Sequence, residues 1–102
     1  MSISVVVPVY DESENIKTFL DRITPILSKI NNNYEIIFVL DPSKDNTEEL
    51  ILDFLSKDKR IKLIKLSRRF GQPAACLAGV NHAKMDNIIF IDVDLQDPPE
   101  LI

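Results

Sequence analysis

The densest chemistry in this 102-residue sequence lies in the run Asp92-Val93-Asp94-Leu95-Gln96-Asp97. Alternate residues of an extended chain point to the same side, so the Asp92 and Asp94 carboxylates can converge on one hard cation, with the Gln96 amide oxygen as a further donor. A divalent cation held by one or two carboxylates fills its other positions with water and phosphate oxygens. Such a site therefore suggests a nucleoside diphosphate ligand whose leaving-group charge the metal offsets. As a bare pattern Asp-x-Asp is weak, and it equally describes a solvated acidic loop capping a following helix, with Pro98 in the first turn. Three other polar segments carry comparable chemistry: Tyr10-Asp11-Glu12, Asp41-Pro42-Ser43-Lys44-Asp45 and Ser67-Arg68-Arg69.

The elements between these segments explain why they matter together. Ile3 to Tyr10 and Tyr34 to Leu40 are near-continuous apolar runs rich in β-branched residues, the pattern of buried strands, and Ile61 to Leu66 and Asn87 to Asp92 read as a third and a fourth strand. Lys62 and Lys65 place the third strand nearer a sheet edge. Between the first two strands, Ile16, Phe19, Leu20, Ile23, Ile26, Leu27 and Ile30 recur at helical spacing. Pro25 predicts a kink or break near Thr24, because proline removes a hydrogen bond and clashes with the preceding turn. Thr47 to Ser56 carries Leu50, Ile51, Phe54 and Leu55 on one helical face, and Gln72 to Lys84 is an alanine-rich third helix. Asp11 with Glu14, and Asp45 with Glu48, are spaced to cap the first two helices.

The order β-α-β-α-β-α-β with short connections implies parallel strands and right-handed crossovers. The expected fold is α/β: a Rossmann-like parallel sheet of about four strands, in order 3-2-1-4, with helices on both faces. Ligands of such sheets lie beyond the carboxyl ends of the strands, at the switch point between strands 1 and 4. All four polar segments follow strands directly, so the fold would gather them on one rim. No Gly-x-Gly-x-x-Gly loop follows strand 1, which weighs against a dinucleotide cofactor.

Composition narrows the field further. Twelve Lys and Arg against 16 Asp and Glu give a formal charge of −4, which argues against a general nucleic-acid binder. The single cysteine, Cys76, forms no internal disulfide and no zinc pattern, and a reducing compartment fits it best. No apolar run approaches the roughly 18 residues that cross a bilayer. His82 and Cys76 read as packing or surface residues. Phe19, Phe38, Phe54 and Phe90 read as core.

Taken in order, Val5-Val6-Val7-Pro8-Val9-Tyr10-Asp11-Glu12-Ser13-Glu14-Asn15-Ile16, Asp41-Pro42-Ser43-Lys44-Asp45-Asn46-Thr47, Leu66-Ser67-Arg68-Arg69-Phe70-Gly71-Gln72 and Asp92-Val93-Asp94-Leu95-Gln96-Asp97-Pro98-Pro99-Glu100 resemble the successive motifs of family 2 nucleotide-sugar glycosyltransferases. The branch they resemble most is the polyprenyl-phosphate and dolichyl-phosphate sugar transferases. The resemblance implies the N-terminal half of a GT-A fold and transfer of a hexose, with inversion, from a UDP- or GDP-hexose to an acceptor such as a polyprenyl phosphate. It implies that Pro8, Tyr10 and Glu12 line the nucleotide pocket, that Val39 and Asp41 hold base and ribose, and that Arg68 lies near the nucleotide. Asp92, Val93 and Asp94 match the donor and metal motif, with Gln96 as an additional ligand to Mg²⁺ or Mn²⁺. Relatives of this branch act at the cytoplasmic face of a membrane, so a cytoplasmic location is implied.

The sequence departs from the family in its second motif, usually Asp-Asp-Gly-Ser-x-Asp. Here Leu40 replaces the first Asp and Pro42 the Gly. Proline holds φ near −65°, so the loop must turn differently, and base preference is the property affected. The match ends just after the metal motif. Residues 1–102 are therefore expected to be the nucleotide-sugar-binding half of a transferase domain, with the catalytic base and acceptor contacts beyond residue 102. Such a half would bind donor weakly and turn nothing over alone. The alternative is a non-catalytic nucleotide-binding or assembly module that self-associates through the exposed edge of strand 4. A phosphoacceptor domain fits less well, as no suitably placed lysine follows a fifth strand.

Overall fold

The computed structural model describes residues 2–9, 13–30, 33–40, 46–66, 85 and 87–91. β1 (Ile3–Val9) and β2 (Tyr34–Leu40) are buried along their whole length, apart from half-buried Pro8. Their near-continuous apolar runs leave no polar face, so both sides must be covered. β3 (Ile61–Lys65) and β4 (Asn87–Phe90) are shorter and more exposed. All pairings are parallel and the order is β3-β2-β1-β4, as the alternation of elements predicted.

The pleat divides the sheet into two faces. Ile3, Val5, Val7 and Val9, with Tyr34, Ile36, Phe38 and Leu40, build the larger core against α1 (Ser13–Ile30) and α2 (Thr47–Lys57). Ile16, Phe19, Leu20, Ile23 and Leu27 supply the buried stripe of α1, and Ile51 the centre of that of α2. Val6, Ile37 and Val39 form a smaller cluster on the other face, with Ile64 and Leu66 against it. The helix expected over Gln72 to Lys84 lies outside the described residues, as do Cys76 and His82.

Three local expectations are corrected. α1 runs unbroken through Pro25. That residue is on the solvent side of the helix, where the Asp21 carbonyl that loses its partner can bond water instead. At α2 the N-cap position belongs to Asn46, which makes no side-chain capping bond, and the Glu48 carboxylate pairs with Lys65 at 3.1 Å. Phe90 is not core: it is 47% exposed, because β4 borders the sheet and pairs Phe90 with Val6 on the less covered face.

Candidate functional site

The strand register sets the rim where chemistry is expected. Val9 pairs with Leu40 and Leu40 with Lys65, so β1, β2 and β3 end in one row. The Leu66 N–H donates to the Leu40 carbonyl at 2.9 Å and extends the ladder one step. β4 ends lower. Its last paired row is Phe90 with Val6, and the Ile91 N–H donates to the Val6 carbonyl at 3.2 Å. The chain leaves these four ends into Tyr10-Asp11-Glu12, Asp41-Pro42-Ser43, Ser67-Arg68-Arg69 and Asp92-Val93-Asp94 respectively. Each crossover helix returns antiparallel to its strand, so the N-termini of α1 and α2 also face this rim, where their dipoles favour anionic groups.

Of the residues proposed for the site, Pro8 and Val39 are described. They are register partners on adjacent strands, on the same face and one row below the rim. Val39 is fully buried and Pro8 half-buried. Tyr10, Glu12, Asp41, Arg68, Asp92, Val93, Asp94 and Gln96 lie outside the described residues. Leu40, the residue standing where relatives carry an Asp, is 3% exposed and faces the α1 and α2 core, away from Val39. Leu40 thus contributes apolar surface to the larger core, on the face opposite Pro8 and Val39.

The lysines of β3 are committed elsewhere. Lys65 pairs with Glu48 in the first turn of α2, and Lys62 reaches the buried Glu35 carboxylate at 3.3 Å. Both β3 lysines are thus ion-paired within the fold, and the arginines that follow β3 in sequence lie outside the described residues. A groove of about 340 Å³ lies at the opposite end of the molecule, lined by Leu20, Thr24, Pro25, Phe54, Lys57 and Ile61. Its walls belong to the carboxyl halves of α1 and α2 and the start of β3, so it takes no part in the rim. Among the described residues no cluster of metal-ligating side chains occurs, and no helix is long and apolar enough to cross a membrane.

Sequence reasoning missed one polar group of consequence. Glu35, 1% exposed, is the second residue of an otherwise apolar strand. A charged residue inside YEIIFVL was the available signal, since a buried carboxylate requires partners. Ser4 Oγ donates to its Oε2 at 2.6 Å.

Comparison with known proteins agrees with this architecture. The chain is 41% identical over 102 residues to the uncharacterized glycosyltransferase sll0501 of Synechocystis sp., covering 100% of this chain and 32% of that protein. It is 41% identical over 101 residues to the undecaprenyl-phosphate 4-deoxy-4-formamido-L-arabinose transferase of Aeromonas hydrophila, covering 98% of this chain and 31% of that enzyme. The chain thus spans about a third of the length of the curated relatives it matches. Among solved structures, the mannosyltransferase PcManGT of Pyrobaculum calidifontis, in complex with GDP-Man and Mn²⁺, superposes with a TM-score of 0.81 at 22% identity, over 94% of this chain and 32% of that one. Residues 1–349 of S. aureus TarS, in complex with UDP-GlcNAc, superpose with a TM-score of 0.77 at 26% identity, over 92% of this chain and 27% of that one. The model of the family described as glycosyl transferase family 2 matches residues 4–102, and the chain belongs to that family.

Proposed function

We propose that this chain is the donor-binding half of an inverting hexosyltransferase that uses a UDP- or GDP-hexose and, as part of the larger protein, a polyprenyl phosphate acceptor. The observation that supports the reading is that every strand pairing is parallel, so the carboxyl ends of all four strands, from which the four motif segments continue in sequence, share one edge of the sheet. Half-buried Pro8 offers a nucleoside an apolar contact, next to Val39, which is held in the smaller cluster. Tyr10, Glu12, Asp41 and Arg68 would bind and orient the nucleotide, and Asp92, Asp94 and Gln96 would hold the metal. An all-oxygen set of two carboxylates and an amide suits a hard divalent ion such as Mg²⁺ or Mn²⁺. When bound, the ion offsets charge on the departing diphosphate.

In the reaction an acceptor phosphate oxygen forms a bond to the sugar anomeric carbon as the bond from that carbon to the diphosphate oxygen breaks, inverting the centre. An anionic nucleophile needs no strong base, so positioning by the chain's own side chains supplies much of the rate. Acceptor contacts belong to the remainder of the protein, and the setting is the cytoplasmic face of a membrane. Calorimetry of the chain with UDP or GDP, with and without Mn²⁺, tests the donor site. Metal-dependent binding that weakens more than about tenfold in Asp94→Ala is expected; binding indifferent to both metal and substitution overturns the reading. Sugar transfer by the chain alone would overturn its assignment as a half-site.

A second reading, an assembly module, is favoured by Ile88 and Phe90, 38% and 47% exposed on β4. It expects a concentration-dependent dimer in sedimentation that Phe90→Ser disperses.

A further inference from the structure

β4 is the strand from which the chain enters the acidic run, and its own sequence specifies its alignment poorly. Asn87 is followed by Ile88, Ile89, Phe90 and Ile91, four apolar residues in succession. A slip of one residue would turn every side chain to the opposite face and still present apolar groups to both. Ile89 and Ile91 pack on the larger core and Ile88 and Phe90 are exposed, so a slip would exchange one apolar pair for another at that core.

Polar contacts supply what the pattern lacks. The Ser2 carbonyl accepts from both the backbone N–H of Asn87, at 3.0 Å, and its side-chain amide, at 2.9 Å. Ser4 Oγ accepts from the Met85 N–H at 3.2 Å and donates to Glu35 Oε2 at 2.6 Å. The Ser4 hydroxyl carries one hydrogen, so donation to the carboxylate turns its lone pairs toward Met85. Ser4 and Glu35 are register partners, both almost wholly buried, and Lys62 of β3, in register with Ile37, reaches Glu35 diagonally from the far side. A buried ionic group gives little net stability compared with an apolar replacement, and its best-attested use is to fix register.

We infer that Ser4 and Glu35 are positioning residues: the buried carboxylate orients the Ser4 hydroxyl, which holds the segment at Met85 and so locks β4 in register on β1. The inference rests on the proposed donor site for its consequence, since the register of β4 decides where Asp92 and Asp94 emerge.

Amide hydrogen exchange and Mn²⁺-dependent UDP binding are compared in the wild-type chain and in Ser4→Ala, Glu35→Leu and Glu35→Gln. Glu35→Leu is the decisive variant because an apolar side chain there is expected to hold global stability. In Ser4→Ala and Glu35→Leu the Asn87 and Ile91 amides should exchange roughly tenfold faster. The β2–β3 amides of Ile36 and Leu66 should be unchanged, and affinity for Mn²⁺ with UDP should fall in parallel. Glu35→Gln keeps an acceptor for Ser4 and should restore both. Uniform acceleration across the sheet, or an unaltered β4 in Glu35→Leu, overturns the inference, as does faster β4 exchange with undiminished Mn²⁺ and UDP binding. If the wild-type chain binds no Mn²⁺ with UDP, the donor-site reading fails, and the exchange pattern alone decides the role of Ser4 and Glu35.

Discussion

Lys65, at the end of β3, reaches Glu48 in the first turn of α2 with 3.1 Å between Nζ and Oε2. The pair ties the rim to the helix that begins there and commits a lysine that otherwise invites assignment to a phosphate. Both side chains are substantially exposed, so the contact is worth under about 1 kcal/mol. Lys65→Ala should lower stability by no more than that in a urea melt and leave UDP or GDP affinity within about twofold by calorimetry, a limit set by the same small energy. A larger loss of affinity would assign Lys65 a part in the site.

Phe19 of α1 meets Phe38 of β2 edge to face, with centroids 6.1 Å apart and planes at 68°. Both rings are fully buried. Phe38→Ala should cost about 3–5 kcal/mol. A double-mutant cycle with Phe19→Leu should return a coupling of about 0.5–1.5 kcal/mol. Additive effects in denaturant titrations would mean that the rings contribute area only.

Glu35 and Lys62 should respond unequally to truncation. Glu35 is 1% exposed, whereas the Lys62 side chain is 43% exposed. Lys62→Ala removes a cation from a carboxylate that water cannot reach and should destabilise by about 1–3 kcal/mol. Glu35→Leu releases Lys62 to solvent and should be close to neutral. Equal losses in thermal melts would show that Lys62 contributes nothing specific to that carboxylate.

Pro25 offers a test in the opposite direction. Proline in a helix interior is about 3 kcal/mol worse than alanine, partly offset by about 0.4–1 kcal/mol from its stiffening of the unfolded chain. Pro25→Ala should therefore stabilise by about 2 kcal/mol, the balance of those two effects, seen as a higher melting temperature. A decrease would mean that the ring contributes packing to the groove it lines with Leu20, Thr24 and Phe54.

Much of this fold was legible because burial on both faces leaves its mark on every residue of a strand. YEIIFVL matches β2 over its full length, and Thr47 begins α2 where the helical spacing begins. Pro25 misled because propensity counts the lost hydrogen bond but not which side of the helix loses it. Phe90 misled because alternation says which face a ring occupies, whereas what covers that face is decided by segments far away in sequence. For the site, Pro8 and Val39 were named through the resemblance; strand order makes β1 and β2 neighbours, and the register, which order does not fix, is what pairs these two residues. Glu35 escaped because a single charge in an apolar run carries no spacing to interpret. Its meaning depends on Ser4 of β1 and Lys62 of β3, each remote in the chain.

The separations spanned by these contacts also set an order of assembly. Ser4 and Glu35 are 31 residues apart, whereas Ser4 and Met85 are 81 apart. Loop closure grows slowly, about 0.6 kcal/mol for each doubling of length, yet the shorter loop also carries its own helix and most of the larger core. β1, α1 and β2 thus make a nucleus that can condense first, with β4 added to a finished edge. Substitutions in the Phe19–Phe38 contact should slow folding, while those at Asn87 should hasten unfolding. On this order β4, the strand that leads to the acidic run, would dock last and leave first, so the β1–α1–β2 unit can persist while that edge opens.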